Sequence, residues 1–284
     1  MIGHCRMHSL GTPAFRAAHA CVAAAVILVD SLASATAQDA GVVPGSVSFY
    51  DTFAALDRIR WSISSGWQNG PHQDCTWTAG NVRRPPEALQ LILDDRRTPE
   101  RAYSCAEVQS RRLYGYGTYE VRMRAPYAPG VVTSFFTYTG PTDGPARPYE
   151  QISVEFVAKD PNTVLLNFSA GGRGNNHSEG SVSPGYSKVN DYAFQWLPDR
   201  LRWFINGKLV REVVATQQTP VPEYAAHIIF SIRNGIGHSQ EEWLGRFEYP
   251  GSPLMVGIEY VAYTQLGAAC QFPTSVVCTR NGHK

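Results

Sequence analysis

The stretch Tyr149-Glu150-Gln151-Ile152-Ser153-Val154-Glu155-Phe156 alternates polar and apolar side chains with a period of two, the pattern of a half-buried β-strand. Ile152, Val154 and Phe156 point to one face and can pack against a second sheet. Tyr149, Gln151, Ser153 and Glu155 share the other face, where an aromatic ring and three polar groups form the candidate floor of a binding cleft.

Residues 1–37 read as a secretory signal peptide. Arg6 and Arg16 precede an apolar run from Cys21 to Val29, and Ala35-Thr36-Ala37 supplies a small-residue cleavage site. The run falls short of the roughly 20 residues that a membrane-spanning helix needs, so a signal peptide is favoured over an anchor. The mature chain then starts near Gln38, with a secreted or periplasmic location expected. The whole chain carries 25 Lys and Arg against 24 Asp and Glu. Residues 1–37 hold two Arg and one Asp, so the remainder is electrically balanced and lacks the basic excess that nucleic acid or an anionic membrane would call for. Its length fits one all-β domain.

Cys5 and Cys21 leave with the signal peptide, and Cys75, Cys105, Cys270 and Cys278 remain. An even number in an oxidising compartment suggests two disulfides. Order along the chain favours Cys75 with Cys105 and Cys270 with Cys278, although four cysteines allow three pairings and free buried thiols are the alternative.

Strand and turn signals fill the mature chain, with no sustained helical period. Strands are predicted over Val47–Phe53, Leu89–Leu93, Ala106–Leu113, Thr118–Arg124, Val131–Thr139, Thr163–Ser169, Tyr192–Leu197, Leu201–Ile205, Leu209–Val214, His227–Ile232 and Val256–Tyr263. Trp61–Gly80 and Ala170–Pro184 read as loops. Asn206-Gly207 marks a tight hairpin, because both central residues of a type I′ turn need positive φ. Many strands with short turns imply an antiparallel two-sheet sandwich.

Several runs carry a resemblance. Cys75-Thr76-Trp77, Ser104-Cys105-Ala106-Glu107, Tyr114-Gly115-Tyr116-Gly117-Thr118-Tyr119-Glu120-Val121-Arg122-Met123, Ser134-Phe135-Phe136-Thr137-Tyr138-Thr139-Gly140-Pro141-Thr142-Asp143-Gly144, Val154-Glu155-Phe156 with Lys159-Asp160, and Trp203 to Gly207 occur in order. Over about Phe53 to Thr264 the chain resembles the bacterial lichenases of glycoside hydrolase family 16. The resemblance implies an all-β, curved antiparallel two-sheet β-jelly roll (a concanavalin-like sandwich), a glucan cleft across its concave sheet, and a Cys75–Cys105 disulfide. It places residues 38–264 in the jelly roll and leaves residues 265–284 as a tail with a second disulfide expected between Cys270 and Cys278.

The catalytic strand of that family usually reads E-I-D-I-E: nucleophile, helper Asp and general acid/base on alternate positions. Retaining hydrolysis needs two carboxyl groups about 5 to 5.5 Å apart, one ionised to attack and one protonated to release the leaving group. Here the strand reads Gln151-Ile152-Ser153-Val154-Glu155. Glu155 keeps the acid/base position, Gln151 occupies the nucleophile position, and Ser153 replaces the helper Asp. Glu150 projects to the opposite face, and recruiting it would need a bulge or a register slip. The family's Cys-Ala-Glu-x-Arg ends here in Gln109, and its Trp before Asn-Gly becomes Arg233.

The other residues expected in the cleft are Tyr149 and Trp243 as stacking platforms and Asn69, Glu107 and Asn167 as hydroxyl-binding groups. The alternatives are a turn role for Asn69, a solvated strand position for Glu107 and packing for Trp243. His72, His177, His227 and His238 lack zinc-ligand spacing. Gly171-Gly172-Arg173-Gly174 lacks the Lys-Ser/Thr of a phosphate loop, and no G-x-S-x-G elbow occurs. The expected function is recognition of a β-glucan or exopolysaccharide with hydrolysis lost or strongly reduced. The alternatives are an active retaining endo-β-1,3(4)-glucanase or transglycosylase using Glu155 as acid/base, or a structural envelope protein without a sugar ligand. A polysaccharide is the expected partner of a monomer, with no nucleic acid and, once the signal is cleaved, no membrane. No cofactor is expected beyond the structural calcium often found in the family, whose ligands the sequence does not place.

Overall fold

A computed structural model describes residues 47–281 except residues 87, 159 and 175; the signal peptide expectation lies outside the described residues. The strands are β1 (Phe49–Asp51), β2 (Trp61–Ile63), β3 (Cys75–Trp77), β4 (Val82–Arg83), β5 (Leu89–Leu93), β6 (Tyr103–Ser110), β7 (Gly117–Arg124) and β8 (Val131–Thr139). They continue with β9 (Glu150–Val157), β10 (Thr163–Ser169), β11 (Ser178–Ser181), β12 (Asn190–Leu197), β13 (Arg200–Ile205), β14 (Lys208–Val214), β15 (His227–Asn234) and β16 (Leu254–Gln265). Two short helices follow β15 and β16, α1 (His238–Leu244) and α2 (Val276–Asn281).

Two sheets pack face to face as a jelly roll. The outer sheet runs β14-β13-β12-β7-β16-β5-β4 with β1 on β16, and the inner sheet runs β11-β10-β9-β8-β15-β6-β2 with β3 on β6. All pairs are antiparallel except β3 with β6. Strand β9 behaves as its alternation requires: Ile152, Val154 and Phe156 are buried between the sheets. Burial of such side chains is worth roughly 1.5–3 kcal/mol each. Phe135 of β8 stacks on Phe230 of β15 at 5.2 Å and meets Phe194 of β12 at 5.2 Å, so aromatic rings bridge the sheets. Trp203 of β13 donates its indole N–H to the Ser153 carbonyl at 3.1 Å, tying the outer sheet to the back of β9.

The β13–β14 hairpin turns at Asn206 (φ 50°) and Gly207 (φ 76°), both left-handed as a type I′ turn needs. Two stretches read as loops contain strands. Strands β2 and β3 lie within Trp61–Gly80, and β11 lies within Ala170–Pro184. With three or four residues each, they carry too little periodicity to be seen, and their hydrogen bonds come from β6 and β10.

Cys75 and Cys105 form a disulfide that joins β3 to β6, and Cys270 and Cys278 form a second. The tail is docked on the outer sheet. Ser275 Oγ and the Val276 amide donate to the two oxygens of buried Glu120 at 2.6 and 2.9 Å, Val276 packs with Ala193 and Phe204, and Phe272 meets Tyr50 and Tyr260 at 5.1 Å.

Candidate active site

The inner sheet carries its polar side chains on the face away from the core, and cross-strand register brings them together. Glu155 of β9 lies opposite Ser134 of β8, Ser134 opposite Ser231 of β15, and Ser231 opposite Glu107 of β6. Two small serines between two glutamates leave the floor open, and a cleft of about 730 Å³ stands over this row. Asn69, Glu107, Tyr149, Gln151, Glu155, Arg233 and Trp243 all line it.

Gln151 and Glu155 meet directly. Gln151 Nε2 donates to Glu155 Oε1 at 3.2 Å, Ser153 Oγ donates to the same oxygen at 3.0 Å, and the Tyr149 hydroxyl donates to Gln151 Oε1 at 2.6 Å. Tyr149 remains partly exposed on the rim. Ser153 is fully buried beneath its neighbours and touches the cleft only through Glu155. Glu150 faces away: its carboxylate accepts from the backbone amides of Gly171, Glu223 and Tyr224 at 3.1, 2.8 and 2.9 Å.

Residues 69–250 match the family model described as "Glycosyl hydrolases family 16". The chain belongs to glycosyl hydrolase family 16. It is 38% identical to the "Endo-1,3-1,4-beta-glycanase ExoK" of Rhizobium meliloti (strain 1021), covering 81% of this chain and 84% of that protein. It is 36% identical to a "Beta-glucanase" of Bacillus licheniformis, covering 82% of this chain and 90% of that one. A solved Bacillus licheniformis beta-glucanase superposes with a TM-score of 0.71 at 33% identity, over 78% of this chain and 99% of its own.

Two sequence-based expectations change in this family 16 cleft. Asn167 pairs with Ser153 across β10 and β9 but does not line the cavity, and its amide oxygen is buried without a hydrogen-bond partner. Glu107 is no solvated strand position: it is 3% exposed and accepts from Ser64 Oγ at 2.6 Å. Trp243 serves two purposes, packing on the cluster of Val132, Val157 and Leu244 while facing the cleft. The Asn69 amide donates to Gln73 Oε1 at 3.3 Å, so its backbone holds a turn while its side chain lines the cavity.

Burial dominates the electrostatics. It pushes the Glu107 carboxyl up to about 7, against the opposing pull of Ser64 and Arg233. It also raises Glu155, opposed by Ser153, Arg233 and Gln151. Arg233 is lowered by burial and partly restored by Glu155 and Glu107, and His72 is lowered by burial and by Arg233.

The cleft also recruits Trp67, Phe136, Tyr138, Asp143, His227 and Ile229, which were not proposed as site residues from the sequence. His227 Nε2 stands 3.1 Å from Asp143 Oδ1 at one end. The signal for most of them was the period-two pattern. Phe136 and Tyr138 follow Ser134 on β8, and His227, Ile229, Ser231 and Arg233 alternate along β15. Trp67 comes from a loop and had no such signal. Calcium binds six to eight oxygens; among the described residues no group of three or more His, Cys, Asp or Glu side chains could hold a metal ion, and no ligand set is assigned.

Proposed function

We propose that this family 16 chain is a secreted or periplasmic protein that recognises a β-linked polysaccharide through the inner-sheet cleft, with hydrolysis lost or strongly reduced. The observation that carries the reading is the pair Gln151–Glu155: the residue at the nucleophile position is an amide that donates to the remaining carboxyl. A neutral amide cannot form the glycosyl ester of a double displacement, nor stabilise oxocarbenium charge as a carboxylate does. Glu155, buried and pushed toward its protonated form, remains suited to act as an acid or as a hydrogen-bond donor to a sugar oxygen.

A second reading, an active endo-β-1,3(4)-glucanase or transglycosylase, is supported by the glucanase names of its relatives and by the other carboxyl groups in the cleft. Glu107 is a poor nucleophile for it. Three strand spacings separate its Cα from that of Glu155, about 14 Å, along a row where the two side chains approach from opposite ends. Asp143 is engaged by the Gly140 amide and the Thr139 hydroxyl. The purified protein should retain lichenan, laminarin or an acidic exopolysaccharide in affinity electrophoresis while releasing almost no reducing ends. Robust turnover abolished by Glu155→Gln would establish the second reading instead, and failure to retain any glycan would leave a structural envelope role.

A further inference from the structure

Arg233 lies on the cleft face of β15, two residues after Ser231. Its Nη1 donates to Gln240 Oε1 at 3.2 Å, and its guanidinium carbon stands 5.8 Å from the Trp243 ring centroid. Gly235 permits this arrangement: a Cβ there would stand 2.7 Å from Gln240 Cβ, so only glycine lets α1 press Gln240 against the strand without a shift. No carboxylate lies within 4.0 Å of the guanidinium among the described residues, and its Nε and Nη2 have no protein partner there. Glu107 and Glu155 are within electrostatic reach, yet their hydrogen bonds come from neutral donors, Ser64 to one and Ser153 with Gln151 to the other. Burial favours the protonated form of both, which leaves the cation without a full counter-charge. His72 is itself held toward its neutral form by burial and Arg233.

A guanidinium withdrawn from water and left without an anion is costly. Its planar fork, steadied by an aromatic ring, matches a carboxylate in two parallel hydrogen bonds. We infer that Arg233 is the carboxylate-recognition point of this cleft, and that the glycan it takes is acidic, a β-linked polysaccharide bearing uronate or carboxylic-acid substituents. This rests on the reading of the cleft as a glycan site and names its substrate class. Sugar hydroxyls can also accept from Arg233, but they leave its charge uncompensated.

Oligosaccharides prepared from lichenan, and the same oligosaccharides after selective oxidation of their primary hydroxyls to carboxylates, separate the two recognitions in calorimetric titrations at mildly acidic pH. The wild-type chain should bind the oxidised form at least about tenfold more tightly, the scale of a charged hydrogen-bonded contact. Raising the salt concentration should shrink the preference. Arg233→Gln should abolish the preference while keeping neutral affinity within about twofold, since only a charge-specific contact is lost. Arg233→Lys, which keeps the charge but not the fork, should lose most of it and carries the test if the Gln variant does not fold. Neutral oligosaccharide bound without preference, or a preference surviving in Arg233→Gln, overturns this inference alone. No binding of either form overturns it together with the glycan reading.

Discussion

Gln151 Nε2 donates to Glu155 Oε1 across 3.2 Å, so the two cleft-facing positions of β9 that flank Ser153 are locked to each other. In the double variant Gln151→Glu with Ser153→Asp, the amide donor gives way to a carboxylate and a second acid stands between the pair. Hydrolysis of lichenan or of an acidified β-glucan should then rise by at least about a hundredfold, since restoring one transition-state contact of about 3 kcal/mol gives that factor. Reducing-end release measures it. An unchanged rate with binding retained would mean that the shape of the cleft, and not the absent carboxylate, limits catalysis.

Glu107 makes stability depend on pH in a defined direction. Its carboxyl, ordinarily at 4.5, titrates at about 7 in the fold, so between these values the folded chain holds a proton that the unfolded chain has released. The sign follows: stability is full below the unfolded value and falls as pH rises through the folded one, by up to about 3 kcal/mol. Glu155, Glu150 and Glu120 are raised as well and act in the same sense. Glu107→Gln should be close to wild type in urea unfolding at low pH and more stable than wild type above neutrality. A stability difference independent of pH would refute the assignment.

Glu150 holds two loops to the end of β9 through three backbone amides. Glu150→Ala leaves those amides without their acceptor and should cost about 3 kcal/mol in denaturant unfolding. Introduced beside Gln151→Glu, it should leave the pH dependence of hydrolysis unaltered. A changed pH profile would show that Glu150 reaches the cleft after all.

The tail acts as a latch on the outer sheet. Ser275→Ala removes one of the two donors to buried Glu120 and should destabilise the fold by about 1.5–3 kcal/mol. Glycan affinity should not change, because β7 and the cleft belong to different sheets. Loss of affinity in titrations of this variant would contradict that separation.

Much of the scaffold was legible residue by residue. The alternation through Ile152, Val154 and Phe156 gives β9 its buried face, Val131–Thr139 and Thr163–Ser169 coincide with β8 and β10, and Asn206-Gly207 forms the hairpin its positive φ values require. The end of β15 was hidden, because Arg233-Asn234-Gly235 looks like a turn, whereas Val131 and Val132 continue the ladder beside it. Asn167 misled for a related reason. Its period-two position puts it on the cleft face, but β10 lies one strand beyond the cavity's edge, where its amide is covered.

The sequence by itself determined the class of fold and which side chains each strand turns outward, since a pleated strand alternates its faces whatever surrounds it. It also determined that the strand anchoring the cleft carries an amide and a hydroxyl beside its single cleft-facing acid. Only the tertiary structure decided which outward faces meet. Strands β9, β8, β15 and β6 lie side by side through connections that span most of the chain, so the row from Glu155 to Glu107 and the placing of Arg233 over Trp243 are products of long-range pairing. The same burial gives the cleft its chemistry, because taking Glu107, Glu155 and Arg233 out of water disfavours their charged forms to a degree no linear spacing records.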